Sequence, residues 1–439
     1  MPEHWITTLP EGWSLKQIRH IFQIYNGATP KSGESEYWNG DINWITPEDL
    51  GNNDGKEIVE SRRKITVEGY TNSGVSLAPA GSIAISIRAP IGHLAKTMIP
   101  SCVNQGCRLL EPKEGNSDYW YYAATAAKPI LVSRGQGTTF MELPRQNLAS
   151  VKLPVPPICT QEAIANFLDF KTAQIDTLIS KQKALLEKLA EKRTALISHA
   201  VSKGLDLSVP MKNSGVDWLG EIPSTWNVTR LRFLVKMSGG MTPRTNKPEY
   251  WGGDIPWVSP KDMKRDAINN SIDTLTEQAL LDTGISLYEP NNVLIVVRGM
   301  ILAHTFPVAI NTVPVTVNQD MKVLSTNLEC EYISLLLKGI EGLILSVVEE
   351  SAHGTKVLRT DVFKNIYLPV PPREEQKRIV KEIKKLTFLI DQQINRISLL
   401  ITRLQEYRSI LITNAVTGKI DVRDFPIPEQ GESQQTECA

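Results

Sequence analysis

Leu153-Pro154-Val155-Pro156-Pro157 opens a stretch that runs to Asp206, and Leu368-Pro369-Val370-Pro371-Pro372 opens a second that runs to Asp421. No Gly or Pro falls between Thr160 and Lys203, or between Arg373 and Thr417. A Pro-Pro pair followed by acids (Glu162; Glu374 and Glu375) is helix-start chemistry, and Gly204 and Gly418 stand where each helix would stop. At about 1.5 Å per residue each helix spans roughly 60–65 Å, more than the width of a small domain.

Apolar residues recur in both runs with alternating steps of three and four. The first stripe reads Leu168, Ile175, Leu178, Leu185, Leu189, Leu196; the second reads Ile383, Leu386, Ile390, Ile397, Leu400, Leu404, Leu411. Such a stripe is the seam of a coiled coil. The polar exceptions complement each other: Gln182 stands where the second copy has Ile397, and Gln393 where the first has Leu178. Two matching seams in one chain predict that the helices pair with each other. The plainer reading makes each one a core helix of its own domain.

A chain of 439 residues is too long for one hydrophobic core, so two or more domains are expected. With 41% hydrophobic and 22% charged residues it has a globular composition. Lys+Arg and Asp+Glu balance at 48 each, so any surface for a polyanion has to be local. Five scattered Cys with no CxxC pair suit a reducing compartment and offer no zinc site. The start lacks the basic-then-apolar order of a signal peptide, and no apolar run is long enough for a bilayer. A cytoplasmic location is expected, with no membrane partner.

The rest of the chain is repeated as well. Gly27-Ala28-Thr29-Pro30-Lys31 returns as Gly240-Met241-Thr242-Pro243-Arg244. Tyr37-Trp38-Asn39-Gly40-Asp41-Ile42-Asn43-Trp44 returns as Tyr250-Trp251-Gly252-Gly253-Asp254-Ile255-Pro256-Trp257. Trp5–Leu50 matches Trp218–Met263 without a gap, the mark of an internal duplication. The middle of each half diverges, keeping landmarks: a buried-strand pattern at Ser82–Ile87 and Val293–Val297, Val103-Asn104-Gln105 and Val317-Asn318-Gln319, and short helices at Ser117–Ala127 and Cys330–Leu337. The fold class is therefore α+β, with tandem mixed α/β domains and two long helices. The expected divisions are 1–152 for a first reader domain, 153–206 for a helix, 207–367 for a linker and second reader, 368–421 for the second helix, and 422–439 for a flexible tail.

A duplicated frame around divergent middles suggests two readers of two targets. The chain resembles the specificity subunit of a type I restriction–modification enzyme. The residues carrying the likeness are Gly27-x-Thr29-Pro30, Tyr37-Trp38-x-Gly40-Asp41-Ile42-x-Trp44, their second copies, the linker Ser214–Pro223, and both LPVPP-to-Gln starts, Gln161 and Gln376. The likeness covers nearly the whole chain. It implies that each domain is a target-recognition domain for one half of a split, asymmetric site in double-stranded DNA. It implies helices paired as an antiparallel coiled coil with an approximate internal twofold, although the residues alone leave a parallel pairing open. It also implies two modification (methyltransferase) subunits docked on this one, and restriction subunits that translocate and cut with ATP. No cofactor is expected in this chain; S-adenosylmethionine, ATP and Mg²⁺ belong to the partners.

Phosphates need Lys, Arg or N–H donors, and base edges need forked donors. The DNA-binding candidates in the first half are Thr29, Lys31, Arg62, Arg63, Lys64, Arg88, Arg134, Thr138 and Thr139. Those in the second are Thr242, Arg244, Lys247, Lys261, Arg298, Thr355 and Lys356. Any single basic residue can equally be a solvated surface charge. Trp38, Trp44, Trp251 and Trp257 could stack on bases, but their shared spacing favours a framework role. Asn104-Gln105 and Asn318-Gln319 could contact adenine, but being common to both halves they fit loop fixing better.

The search for catalytic residues finds none. There is no GxxxxGK[ST] loop and no Asn/Asp-Pro-Pro-aromatic tetrapeptide, since Ile158 follows Val155-Pro156-Pro157. Glu382-Ile383-Lys384 has ExK spacing but lies in the heptad run, and the six His form no ligand pair. The expected function is a non-catalytic DNA-reading and assembly subunit. The alternatives are a nuclease with a metal site not evident in the sequence and a protein-only scaffold.

Overall fold

The computed structural model describes residues 5–6, 8–88, 90–137, 141–206 and 208–426. Residues divide into two compact units, one of 1–182 with 399–439 and one of 183–398. Most of the expected tail, 427–439, lies outside the described residues, as do Thr138 and Thr139.

The first long helix runs over Ile158–Lys203 and the second over Arg373–Val416. Each begins within two residues of its Pro-Pro pair and is followed closely by a left-handed glycine, Gly204 at φ 83° and Gly418 at φ 72°. The LPVPP segments are not helical. Lys152–Val155 pairs antiparallel with Ser14–Gln17 in the first unit, and Tyr367–Val370 with Asn227–Arg230 in the second. Where strand turns into helix, a buried glutamine closes the corner. Gln161 Nε2 donates to the Pro156 carbonyl at 2.9 Å, and its Oε1 accepts from the Asn116 amide at 3.0 Å. Gln376 makes the same pair of bonds, to Pro371 at 2.9 Å and from Glu329 at 3.2 Å.

Within each unit the helices pair antiparallel. In the first unit Arg408 grips Asp176 through two bonds of 2.8 and 3.0 Å. In the second, Arg193 bonds Asp391 at 3.1 Å. These are one interaction made twice, because 391 − 176 and 408 − 193 both equal 215, the offset between the two LPVPP segments (368 − 153). Pairing places Ile164, near the start of one helix, in the same cavity wall as Gly418, beyond the end of the other.

The seam differs from the expected stripe at four positions. Leu178 is 47% exposed, Leu185 42%, Leu386 38% and Leu400 43%. The covered stripe follows Leu168, Thr172, Ile175 and Ile179 in the first unit, and Leu186, Leu189, Arg193, Leu196 and Ala200 in the second. On the other helix it follows Ile383, Thr387, Ile390 and Ile394 in the second unit, and Ile401, Leu404, Arg408, Leu411 and Ala415 in the first. The alternation of four and three is kept through polar residues. Thr172 and Thr387 satisfy their hydroxyls on their own helix, at Leu168 and Ile383, and the two arginines are neutralised by aspartate. Stepping from leucine to leucine skips those residues and slips the phase by one position, about 100° around the helix.

Each reader is built on a five-stranded sheet whose order is the same in both copies. In the first it runs Phe22–Asn26, Cys107–Pro112, Ile83–Ser86, Leu94–Thr97, Glu57–Ile58; in the second Val235–Gly239, Met321–Thr326, Val293–Val296, Val308–Asn311, Ala267–Ile268. The expected central strands, Ile83–Ser86 and Val293–Val296, are buried throughout. The expected helices form at Ser117–Ala126 and Cys330–Gly339. Tyr119 and Tyr332, from these helices, send their hydroxyls to the Pro154 and Pro369 carbonyls, tying each reader helix to its LPVPP strand. The linker is more ordered than its composition suggests: Met211–Asn213 pairs with Glu221–Pro223 around turns at Gly215 and Gly220.

The corrected seam makes a direct prediction. Ile390→Ala should cost about 2–5 kcal/mol, the usual range for emptying a buried aliphatic site. Leu386→Ala, one turn away and already half in water, should cost within about 0.5 kcal/mol of nothing. Urea unfolding of the two variants measures the difference, and a larger loss at Leu386 would restore the first reading of the stripe.

Candidate nucleic-acid interface

A second, three-stranded sheet in each reader contains a parallel pair. Trp38–Ile45 lies beside Ser101–Val103, and Trp251–Val258 beside Thr316–Val317. Parallel strands end at the same edge, so two loops emerge there together. In the first reader these are Thr46-Pro47-Glu48-Asp49 and Asn104-Gln105-Gly106; in the second, Ser259-Pro260-Lys261-Asp262 and Asn318-Gln319-Asp320. The Asn104 amide donates to the Ile45 carbonyl at 2.9 Å, and Asn318 to Val258 at 3.0 Å.

The Gly-x-Thr-Pro segment forms the third loop. The Ala28 amide bonds the Val103 carbonyl at 3.1 Å, and Met241 bonds Val317 at 3.0 Å. This approach leaves no room for a side chain: a Cβ on Gly27 would lie 1.8 Å from the Asn104 carbonyl oxygen, and one on Gly240 1.9 Å from that of Val317. Thr29 then donates its hydroxyl to Gln105 Oε1, and Thr242 to Gln319 Oε1. Both glutamines are exposed, and with the amide oxygen held their NH₂ groups can serve an outside acceptor. The asparagines do fix the loop, Oδ1 of Asn104 accepting from the Gly106 amide at 2.9 Å and that of Asn318 from Asp320 at 3.1 Å.

The tryptophans hold this loop from beneath. Trp44 Nε1 donates to the Ala28 carbonyl at 2.9 Å and Trp38 Nε1 to Lys31 at 3.2 Å. Trp257 and Trp251 do the same to Met241 and Arg244, at 3.0 and 3.4 Å. Each pair packs edge to face with ring centres 5.1 Å apart. With their N–H groups spent on backbone and their rings on each other, they are framework.

Asp49 fastens the fourth piece. One carboxylate oxygen accepts from the Thr46 amide at 2.8 Å and the other from the Arg62 amide at 3.0 Å. Asp262 repeats this with Ser259 and Ile272, both at 2.8 Å. The Arg62-Arg63-Lys64 run is therefore held beside the loop group, and Arg63 lies 3.7 Å from the Trp38 ring centre. Sequence reading missed Asp49 and Asp262, although Thr46-x-x-Asp49 and Ser259-x-x-Asp262 carry the spacing of a helix N-cap.

The candidates thus separate into groups. Thr29, Lys31, Arg62 and Arg63 gather at the first loop group, and Thr242, Arg244 and Lys261 at the second. Lys64 pairs with Glu60, four residues before it in the preceding loop. Arg88 is exposed and pairs with Glu142 at 2.9 Å, while its counterpart Arg298 is exposed on a backbone bridge to Val357. Beside Arg88 the sequence reading missed Arg108, whose guanidinium burial pushes below its ordinary pKa; Glu142 opposes that shift, and Arg145 and Arg88 add to it. Arg134 is used inside the fold, donating to Ser150 Oγ at 2.6 Å. Lys247 lies against Tyr250, 3.1 Å from its hydroxyl. Lys356 pairs with Glu350 across a hairpin that Thr355 helps to turn. The exposed leucines of the long helices, Leu178, Leu185, Leu386 and Leu400, are left facing outward in their units.

No group of three or more His, Cys, Asp or Glu suited to a metal ion occurs among the described residues. Among them, too, no helix is long and apolar enough to cross a membrane. The thiol of Cys107, beneath the loops, is pushed up by burial.

The pattern of the type I restriction modification DNA specificity domain matches residues 10–188 and again 223–399. The chain is 29% identical to the type I restriction enzyme MjaIX specificity subunit of Methanocaldococcus jannaschii over 435 residues, 96% of each chain. It is 31% identical to the EcoR124I/EcoR124II specificity subunit of Escherichia coli over 299 residues, 64% of this chain and 65% of that one. In fold it is similar to a chain from a structural study of complex assembly and conformational transition in the type I R-M system. The TM-score there is 0.72 at 13% identity, covering 94% of this chain and all of the other.

The close approach at Gly27 can be tested alone. Gly27→Ala should force the loop off Asn104 and cost about 1–3 kcal/mol, the range for overpacking a filled site. Hydrogen exchange at the Ala28 amide should accelerate. Gly33→Ala, where a Cβ would meet nothing within 4 Å, should leave that amide as protected as before.

Proposed function

The chain belongs to the type I restriction modification DNA specificity family, and from that premise we propose that its two loop groups read the two halves of a split site in double-stranded DNA. The observation carrying this reading is the repeated loop group itself. Glycine, threonine, glutamine, both tryptophans and the aspartate make the same bonds in both copies, while the exposed side chains mounted on them differ. One frame with two sets of presented groups fits two different half-sites, giving an asymmetric target.

The chemistry of recognition follows from what the loops hold out. Thr29 and Thr242 orient glutamine amides, whose NH₂ groups can donate to adenine N7 or to a phosphate oxygen. Lys31, Arg88 and their counterparts Arg244 and Arg298 supply charge for the phosphate backbone, so binding should weaken as salt rises. The chain itself is non-catalytic in this proposal. Methyl transfer, translocation and cleavage, with S-adenosylmethionine, ATP and Mg²⁺, fall to two modification subunits and to restriction subunits. The long helices present Leu178, Leu185, Leu386 and Leu400 to the modification subunits.

Replacing residues 9–150 by the matching region of a relative tests the division of labour. Methylation mapped across a genome carrying the hybrid and its partner subunits should show one new half-site and one unchanged. A change in both half-sites together would defeat two independent readers, and a purified chain that nicked DNA with Mg²⁺ alone would replace this reading with a nuclease.

A further inference from the structure

The two copies of the loop group agree in the bonds that the Asp49 and Asp262 carboxylates accept, and they disagree at two exposed positions that those bonds hold side by side. Ser61-Arg62-Arg63-Lys64-Ile65-Thr66 aligns on Ser271-Ile272-Asp273-Thr274-Leu275-Thr276. The alignment is fixed by structure. Ser61 Oγ donates to the Arg63 carbonyl and Ser271 Oγ to that of Asp273, both at 2.6 Å. Thr66 and Thr276 donate to Glu36 and Glu249 at 2.7 and 2.8 Å. Residue 62 is therefore the partner of 272, and residue 48, next to Asp49, is the partner of 261.

In the first reader these positions hold Glu48 and Arg62, joined through two bonds of 2.7 Å. Their side chains are 56% and 64% exposed. In the second they hold Lys261, which is exposed, and Ile272, which is 69% exposed. An acid–arginine fork has become a lysine and a bare aliphatic group, on loops that the same pair of aspartate bonds fastens.

Stability does not account for either pair. An ion pair as exposed as Glu48–Arg62 adds little to folding, and an isoleucine held out in water adds nothing by burial. Both make sense as presented groups. The guanidinium has five N–H donors and Glu48 takes two, leaving a pre-oriented group with three donors to spare. That is the group that reads O6 and N7 of guanine in the major groove, and Glu48 beside it can accept from cytosine N4. An exposed aliphatic side chain is suited to the thymine methyl, and the neighbouring Lys261 to a purine acceptor.

We propose that residues 48 and 62 of the first reader, and 261 and 272 of the second, are the pair that determines base preference at equivalent positions of the two half-sites: Glu48 and Arg62 for a G·C pair, Lys261 and Ile272 for a step containing thymine. This rests on the reading of the chain as a two-reader DNA specificity subunit.

The test uses the full chain assembled with its modification subunits and a randomised DNA duplex library from which bound sequences are selected. The wild-type complex should select a split motif. Glu48→Lys with Arg62→Ile should lower preference for the original base at one or two adjacent positions of one half-site by about tenfold or more, the scale of losing one bidentate contact. The other half-site should not change. Lys261→Glu with Ile272→Arg should do the reverse. Arg62→Lys, a surface change that keeps the charge and removes the fork, should lose the guanine preference while keeping low-salt DNA retention. Double variants that still select the wild-type motif, or an Arg62→Lys complex with full guanine preference, would overturn the assignment of these residues and leave the two readers standing. A wild-type complex that selected no motif would overturn the two-reader reading and this assignment with it.

Discussion

Everything in this chain depends on fixing a long helix to the domain that precedes it, and a buried glutamine does so. Gln161 and Gln376 sit in the first turn after the two prolines, 3% and 1% exposed. Proline supplies a carbonyl but no N–H, so the corner between strand and helix is rich in acceptors. The glutamine amide answers with a donor for the proline carbonyl and an acceptor for an amide of the loop entering the reader's own helix. One side chain thereby ties strand, long helix and reader helix at a single point. A helix attached through a loose turn would transmit no fixed orientation. This one leaves its domain at an angle set by buried hydrogen bonds, each costly to break because the groups left behind are away from water.

The same division between fixed and variable runs through the readers. Bonds that set the frame are backbone to backbone or from backbone to a threonine, aspartate or tryptophan beneath the surface. Side chains that differ between copies stand outside, where a change of charge or shape alters little of the folding energy. Glu48 can become lysine and Arg62 isoleucine because the Asp49 carboxylate, not the residue it positions, holds the loop. The architecture separates the chemistry of stability from the chemistry of recognition.

Much of this was legible in the sequence because duplication prints the frame twice. The long helices, their starts and stops, the central strands and the framework role of the tryptophans could all be read from spacing. The seam was legible only in part. Counting apolar residues selects Leu178, Leu185, Leu386 and Leu400, whereas the helix keeps its phase through Thr172, Thr387, Arg193 and Arg408, whose polar groups are satisfied locally. The site was harder to read, because what gathers Thr29, Gln105, Glu48 and Arg62 is a parallel strand pair joining segments far apart in sequence. Hydrogen-bond partners across such a pair leave no periodic mark. Lys247, Arg134 and Lys356 show the converse: basic residues in loops, each engaged by a neighbour that composition does not reveal.

The Arg–Asp pairs carry a consequence for how the chain is made. Arg193 and Asp391 both lie within 183–398, an unbroken stretch, so the second unit has every part it needs once that stretch has left the ribosome. The first unit does not. Asp176 is synthesised early, yet its partner Arg408 lies near the other end of the chain, and Leu411, Ile412 and Ala415 complete the same core. During translation the first reader therefore waits with one flank of its helix uncovered while more than two hundred further residues are added. Domains fold as units in the order they emerge, but here the N-terminal unit is the last to close. An interrupted or truncated synthesis would release a chain with one finished unit and one open apolar helix face.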